Sequence, residues 1–309
     1  IYSWSEQTMW EYVGDSYNSS DLLQQAIYDR QKLTEEMLGV KIEIVKEPGS
    51  WDSRNTFIQR LKTNVDNQDH AYDLVGQYTP AAAIGAMAGL YMPLGKTKYF
   101  NSDHEWWHGD IVESCSINNN LYFVTGSITP TLVRNIGAMM YNLDIGESLG
   151  LPDIYQLVDN KQWTFDKFHE IIVGANASGN ADGSKTYSFT IPNNGAYDNF
   201  FYAGGFRFVD VDKTSGALSI SATLEGQPMV DWFERWQSFL VNNDDVAILP
   251  INDSMSGFTV EGSLAHMGNL ADVQNFLRDV EFNFAIFPTP TRQEGDDYHT
   301  LLGMWVTYY

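Results

Sequence analysis

Up to Leu90 the chain alternates between two hydrophobic periods, and this constrains its fold more than any other feature. "IYSW" reads as a short strand. Leu22, Leu23, Ala26, Ile27, Leu33, Met37 and Leu38 then recur at helical spacing, and Gly39 stands at the C′ position that ends a helix. "VKIEIVKE" alternates with period two and carries β-branched residues on one face. The turn "GSWDS" leads into a helix carrying Phe57, Ile58 and Leu61. "YDLVGQY" reads as a buried strand, and after Pro80 comes a helix of small residues, "AAAIGAMAGL". Strands separated by helices pair in parallel, with helices on both faces of the sheet.

Beyond residue 90 the alternation loosens. "SINNNLYFV" has the form of a hairpin, and "NIGAMMYN" reads as a strand. In "NKQWTFDKFHEII" Thr164 can cap the free N–H groups of a first helical turn. Trp163 stands where a staple residue packs back on that turn. Phe165, Phe168, Ile171 and Ile172 follow at helical spacing. "NNGAYDNFFYAGGF" reads as a helix ending at Gly204 and Gly205, and "DVDKTSGALSIS" as a hairpin. Residues 225–241 form a long amphipathic helix that buries Met229, Trp232, Phe233, Trp236 and Leu240. "SLAHMGN" and "VEFNFAIFPTP" read as strands.

Two Pro/Thr/Gly-rich stretches, "TGSITPT" and "FPTPTR", each follow a strand and carry no helix signal. They are the places where the chain passes between domains. Two passages build one domain from both ends of the chain, 1–128 with 288–309, and insert the other, 129–287, between them. The 309 residues exceed the ~100–200 of one ordinary domain. A cleft between two such lobes is a favoured ligand site.

Composition removes several function classes. A formal charge of −22 repels nucleic-acid phosphates and anionic membranes, so no nucleic-acid partner is expected. Cys115 is the only cysteine, which excludes internal disulfides and cysteine-rich metal sites. No apolar run reaches the ~18 residues of a membrane span. The six histidines lack the HExxH spacing, and Trp106, Trp107 and Gly109 around His108 argue against a zinc helix. "NASGNADG" has too few acids for a calcium loop. "GES" and "TGS" lack a nucleophile elbow, and "GAMAGL" lies within a helix instead of forming a phosphate loop. No catalytic residue, metal or cofactor is therefore expected. The 9 Trp, 17 Tyr and 17 Phe, beside many Asp, Asn and Gln, suit sugars. Aromatic faces stack on the C–H faces of pyranose rings, while carboxylates and amides bond the hydroxyls. The chain opens at Ile1 without an initiator Met, so a targeting signal would lie outside it. It closes on the strand-like "GMWVTYY", and the natural chain is expected to continue past Tyr309.

In order along the chain, "WWHGDIVESCSINNNLYFVTGS" and "GAMMYNLDIGESLGLPDIYQLVDNKQWTFDKFHEII" resemble the family 1 extracellular solute-binding proteins of bacterial ABC transporters. These are the maltose-binding-like proteins, and the resemblance is to the variants of Clostridia-type Gram-positive bacteria. It rests on Trp106 and Trp107, the hairpin at 119–122, the passage at 126–131, the segment 141–152, and Trp163 with Thr164. "YDLV", "AGGF" and "VEFNFAIFPTP" extend it over nearly the whole chain. Leu143 departs from it, since the family often has a Lys there, and the family continues well beyond the last of these segments.

The resemblance implies an α/β, two-lobed periplasmic-binding-protein-like fold of type II. Each lobe is a mostly parallel sheet flanked by helices, and a multi-strand hinge joins them. It implies a non-enzymatic monomer that closes on a carbohydrate, with an oligosaccharide favoured, and delivers it to the permease subunits of an importer. It implies an exported protein, lipid-anchored on a Gram-positive cell surface or, alternatively, periplasmic. Trp163 and Thr164 then pack and cap a helix of the second lobe. Ligand-facing residues in such a fold lie beyond the C-terminal ends of parallel strands. The first loop offers Ser5, Glu6, Gln7 and Trp10, the second Trp51 and Asp52, the third Gln77 and Tyr78. The first passage offers Ser127 and Thr129, the second lobe Asn194, Tyr197 and Asn269, and the return Trp305. Two alternatives stay open. One is a secreted glycoside hydrolase, which needs two carboxylates about 5–5.5 or 6.5–9.5 Å apart. The other is a binder of a peptide or polyamine.

Overall fold

A computed structural model of the chain describes residues 1–6, 11–12, 21–175, 187–193, 196–260, 262–303 and 305–309. Two compact units emerge. The first is Ile1–Asn135 with Val211–Leu218 and Met304–Tyr309; the second is Ile136–Asp210 with Ser219–Gly303. The chain thus first leaves the first unit after Asn135 and finally returns after Gly303, both later than the Pro/Thr pattern suggested, and Val211–Leu218 makes a short excursion back between them. The physical reason is local bonding. Thr131 is buried in the first unit, where its hydroxyl accepts the Thr307 N–H at 3.0 Å. Pro288 stays with the second unit because its carbonyl accepts the Trp163 Nε1–H at 2.9 Å. Thr300 donates its hydroxyl to the Gly137 carbonyl at 2.6 Å.

In the first unit β1 (Tyr2–Trp4), β2 (Val45–Glu47) and β3 (Val75–Tyr78) are parallel, with Tyr2 opposite both Val45 and Val75. Helices α1 (Leu22–Leu38), α2 (Arg54–Asp66) and α3 (Thr79–Met87) follow the local signals. Asp21 caps α1 by accepting the Leu23 and Gln24 N–H groups, and Gly39 ends it at φ +64°. The late strand β13 (Thr307–Tyr308) adds antiparallel to β3, giving the order β13-β3-β1-β2. Tyr2, Trp4, Phe57, Ile58, Leu61, Tyr78 and Ala81 form the core. The hairpin of β4 (Ser116–Ile117) and β5 (Asn120–Leu121) turns through Asn118 and Asn119, both at positive φ. Such Asn-rich turns match the twist of paired strands.

Two expectations change here. "VKIEIVKE" pairs only over Val45–Glu47. On α1 only Ile27 is buried, while Leu22, Leu33, Met37 and Leu38 are exposed. The stripe of Leu22, Ala26, Leu33 and Met37 lies roughly 100° round the cylinder from Ile27. Packing selected the Ile27 side.

The second unit holds a five-stranded sheet, β10-β7-β11-β6-β12. Its strands are β6 (Gly137–Asn142), β7 (Phe189–Pro192), β10 (Val246–Leu249), β11 (Ala265–Asn269) and β12 (Phe284–Phe287). Strand β6 runs antiparallel to both its neighbours, while β10, β7 and β11 are parallel. A short hairpin pairs β8 (Val209–Val211) with β9 (Leu218–Ile220). Helices α8 (Phe165–Ala175) and α10 (Gln227–Val241) bring Phe165, Phe168, Trp232, Trp236 and Phe239 into the aromatic core. Phe200 and Trp236 stack at 3.5 Å between centroids, 10° from parallel. Thr164 accepts the Lys167 N–H at 3.3 Å, so it caps α8 as its position predicted. Trp163 is fully buried against Phe168 and Phe287. Phe233, expected inside, is 49% exposed, on the solvent side of α10. Among the described residues no helix is long and apolar enough to cross a membrane.

Candidate functional site

Three aromatic residues meet at one edge of the first unit. Strands β1 and β3 end there at Trp4 and Tyr78, and β13, pairing Thr307 with Tyr78, brings the preceding Trp305 to the same edge. Trp305 stacks on Trp4 with centroids 6.2 Å apart and planes 7° from parallel. It lies 5.1 Å from Tyr78. Trp4 and Tyr78 are buried, but Trp305 keeps 39% of its surface exposed. The Trp4 Nε1–H donates to Thr307 Oγ1 at 3.0 Å, which fixes the supporting indole. The result is a rigid aromatic platform with one open member.

The loop after β2 joins this edge. Glu6, two residues past Trp4, accepts the Gly49 N–H at 3.1 Å and the Ser50 N–H at 3.1 Å. Partial burial raises the Glu6 pKa, but the accepted N–H bonds from Gly49 and Ser50 together outweigh it and hold the carboxyl below its ordinary value. Gly49 lies flat on Trp4; a Cβ there would meet the Trp4 Cβ at 2.6 Å. This anchors the loop that presents Trp51, which is 50% exposed, with the Arg54 guanidinium 3.9 Å over its ring. Burial raises the Tyr78 hydroxyl pKa and the Arg54 charge opposes it, so Arg54 serves the same edge. Asp52 is exposed in the turn before α2, and Ser53, not Asp52, occupies the N-cap position.

The other candidates divide. Ser127 is exposed; its N–H donates to the Trp106 carbonyl at 2.8 Å, and its hydroxyl lies 3.3 Å from His108 Nε2. Gln77 and Thr129 are buried. Gln77 donates its Nε2–H to the Tyr91 hydroxyl at 2.6 Å, and Thr129 donates to the Thr307 carbonyl at 3.5 Å. In the second unit Tyr197 sits half-buried before α9 (Asp198–Ala203), where burial raises its hydroxyl pKa. Asn269 ends β11 and caps α12 (Leu270–Phe276) in a capping box with Asp272. Asn269→Ala is expected to cost about 1 kcal/mol of stability, read as a lower urea midpoint with an unchanged slope. Gln7, Trp10 and Asn194 lie outside the described residues, as does "NASGNADG".

Glu6, Trp51, Tyr78 and Trp305 therefore belong to one neighbourhood. Sequence reasoning passed over Trp4 and Arg54 there. Trp4 could have been found, because it ends the first strand at the edge the strand-end rule selects. Arg54 carried no such signal. Among the described residues no three His, Cys, Asp or Glu side chains come together as a metal site. The second unit also has a surface groove of about 980 Å³ over Phe165 and Phe239, walled by Asp166, His169 and Arg235. None of the sequence-selected candidates lines it.

No protein-family model matches the chain, and no curated protein does. Solved structures do match. The apo form of RafE from Streptococcus pneumoniae aligns at TM-score 0.62 and 16% identity, covering 100% of this chain and 71% of that one. UgpB from Mycobacterium tuberculosis, in complex with glycerophosphocholine, aligns at TM-score 0.63 and 12% identity, over 100% and 69%. The maltotriose-binding protein of Thermus thermophilus, bound with maltotriose, aligns at 0.55 and 16%, over 100% and 70%. The chain has the α/β, two-lobed fold of these solute-binding proteins. At such identities the likeness is one of fold.

Proposed function

We propose that this chain is the extracellular solute-binding component of an ABC importer and captures a carbohydrate without chemically changing it. The Trp305 platform carries the reading. A half-exposed indole, held on two buried aromatic rings at a strand-end edge, presents an apolar face with little conformational freedom left to lose. Such a face suits the C–H side of a pyranose. Trp51 adds a second exposed ring, and Glu6, Asp52 and Ser127 supply polar groups for hydroxyls. Gln7, Trp10, Gln77, Thr129, Asn194, Tyr197 and Asn269 stay in the proposed set on the sequence argument alone. RafE was also solved in complex with raffinose, and its fold similarity favours an oligosaccharide. The solute passes to membrane permease subunits, and the protein works as a monomer, exported and lipid-anchored at the cell surface.

A thermal-shift screen of saccharides tests this reading, since a ligand that binds only the folded state raises the melting temperature. Trp305→Ala is expected to weaken the best saccharide by about 10–30-fold, the loss of a contact worth about 2 kcal/mol. Trp305→Phe should keep part of the affinity. Hydrolysis of the bound glycan would overturn the reading in favour of an enzyme. Stabilisation only by peptides, polyamines or glycerophosphodiesters would move the solute class while keeping the binder.

A further inference from the structure

We propose that the Glu11 carboxyl is a proton-operated latch on two of the segments by which the chain leaves and re-enters the first unit, the first exit and the last return. Glu11 is fully buried. Its Oε1 accepts the Thr131 hydroxyl at 2.6 Å and the Thr131 N–H at 3.3 Å. The Tyr309 hydroxyl donates to Oε2 at 3.4 Å. The Thr131 hydroxyl oxygen in turn accepts the Thr307 N–H at 3.0 Å. Thr131 lies in α5 (Pro130–Arg134), directly before the exit at Asn135. Thr307 and Tyr309 follow directly on the return. One carboxyl therefore holds a residue of the outgoing segment and, through it and directly, residues of the incoming one.

The electrostatics make this tie sensitive to protons. Among the described residues the charged group facing Glu11 is Arg30 from α1, and its guanidinium donates to the Glu11 backbone carbonyl and the Ile128 carbonyl. The remaining titratable neighbours, Tyr12 and Tyr309, are held neutral by burial, which raises both hydroxyls. Burial pushes the Glu11 carboxyl up to about 7, against the Thr131 bonds and the Arg30 attraction that pull it down. The folded value is thus raised above the ordinary 4.5. Its stabilisation is fully present below pH 4.5 and is lost as pH rises through about 7. In a two-lobed fold the connecting segments absorb the bending of closure. Proton uptake by Glu11 accordingly stiffens the part of the chain on which closure depends, whatever the solute.

Amide hydrogen exchange on the whole chain from pH 4.5 to 8, corrected for intrinsic rates, tests the latch. Protection of the Thr131, Thr307 and Tyr309 amides is expected to fall about tenfold per pH unit up to 7 and then level off, the linkage of one proton. Glu11→Gln, a neutral isostere of the protonated acid, should remove the slope. A variant that keeps the slope, or a wild type without one, overturns the proposal. If the variant does not fold, the carboxyl carbon resonance of Glu11 decides. A midpoint near 7, tracked by the Thr307 amide, supports the latch. A midpoint near 4.5, or a Thr307 amide blind to the titration, overturns it.

Discussion

Replacing Trp163 by alanine is expected to destabilise the second unit by about 4–6 kcal/mol. Two costs add. Deleting a fully buried large aromatic leaves a cavity worth about 3–5 kcal/mol, here among Phe168, Phe287 and their neighbours. The Pro288 carbonyl also loses the Nε1–H bond at 2.9 Å, about 1 kcal/mol or more for a group left unpaired. The sum is a large part of the ~5–15 kcal/mol that a domain has. Trp163→Phe keeps most of the packing and should cost only about 1–3 kcal/mol. Urea melts of both variants give the comparison. A loss under about 2 kcal/mol for alanine would mean that the site collapses around the gap, and that Trp163 does not pin the 288–303 return segment.

Acidification from pH 7 to 4 is expected to weaken the second unit by roughly 3 kcal/mol through His266 alone. His266 lies on β11 and is fully buried. Its Nδ1 faces Thr190 Oγ1 at 2.9 Å and Ser254 Oγ at 3.3 Å, and its Nε2 has no partner among the described residues. Burial pushes its pKa down to about 3, from an ordinary 6.5. The unfolded chain therefore binds the proton first. Stability is complete above pH 6.5 and drains away as pH falls toward 3. His266→Asn keeps an acceptor near Thr190 and cannot charge, so its acid slope should flatten whatever its stability at pH 7. Between pH 4.5 and 6.5 the Glu11 and His266 slopes oppose each other. A single global melt would average them, whereas local amide exchange separates the two units. Parallel pH responses in both units would refute the assignment of these two groups.

Much of the architecture was legible in local pattern. The strand–helix alternation up to Leu90, the Thr164 cap and the Asn118-Asn119 hairpin all express forces that act within a few residues. Some elements escaped notice for equally local reasons. Strand β10 and helix α11 (Ile251–Thr259) are short runs divided by Pro250, and α12 begins directly after Asn269, the residue that ends β11 and caps the helix. The face of α1 escaped because its longer apolar stripe is not the one that packs. Of the proposed site, Glu6, Trp51, Tyr78 and Trp305 followed from the rule about strand ends, but their common platform on Trp4 did not.

The sequence by itself determined the class of fold and the aromatic and acidic character of the residues put forward as ligand contacts. Periodicity and turn chemistry are short-range and survive without knowledge of neighbours. Only the tertiary structure decided which aromatic ring stays open, which acid is enclosed and where the passages fall. Those depend on contacts between residues far apart in the chain, such as Trp4 with Trp305 and Glu11 with Thr131. Burial, which sets whether a ring can stack on a solute or a carboxyl holds its proton, is a property of the packed assembly and of no single segment.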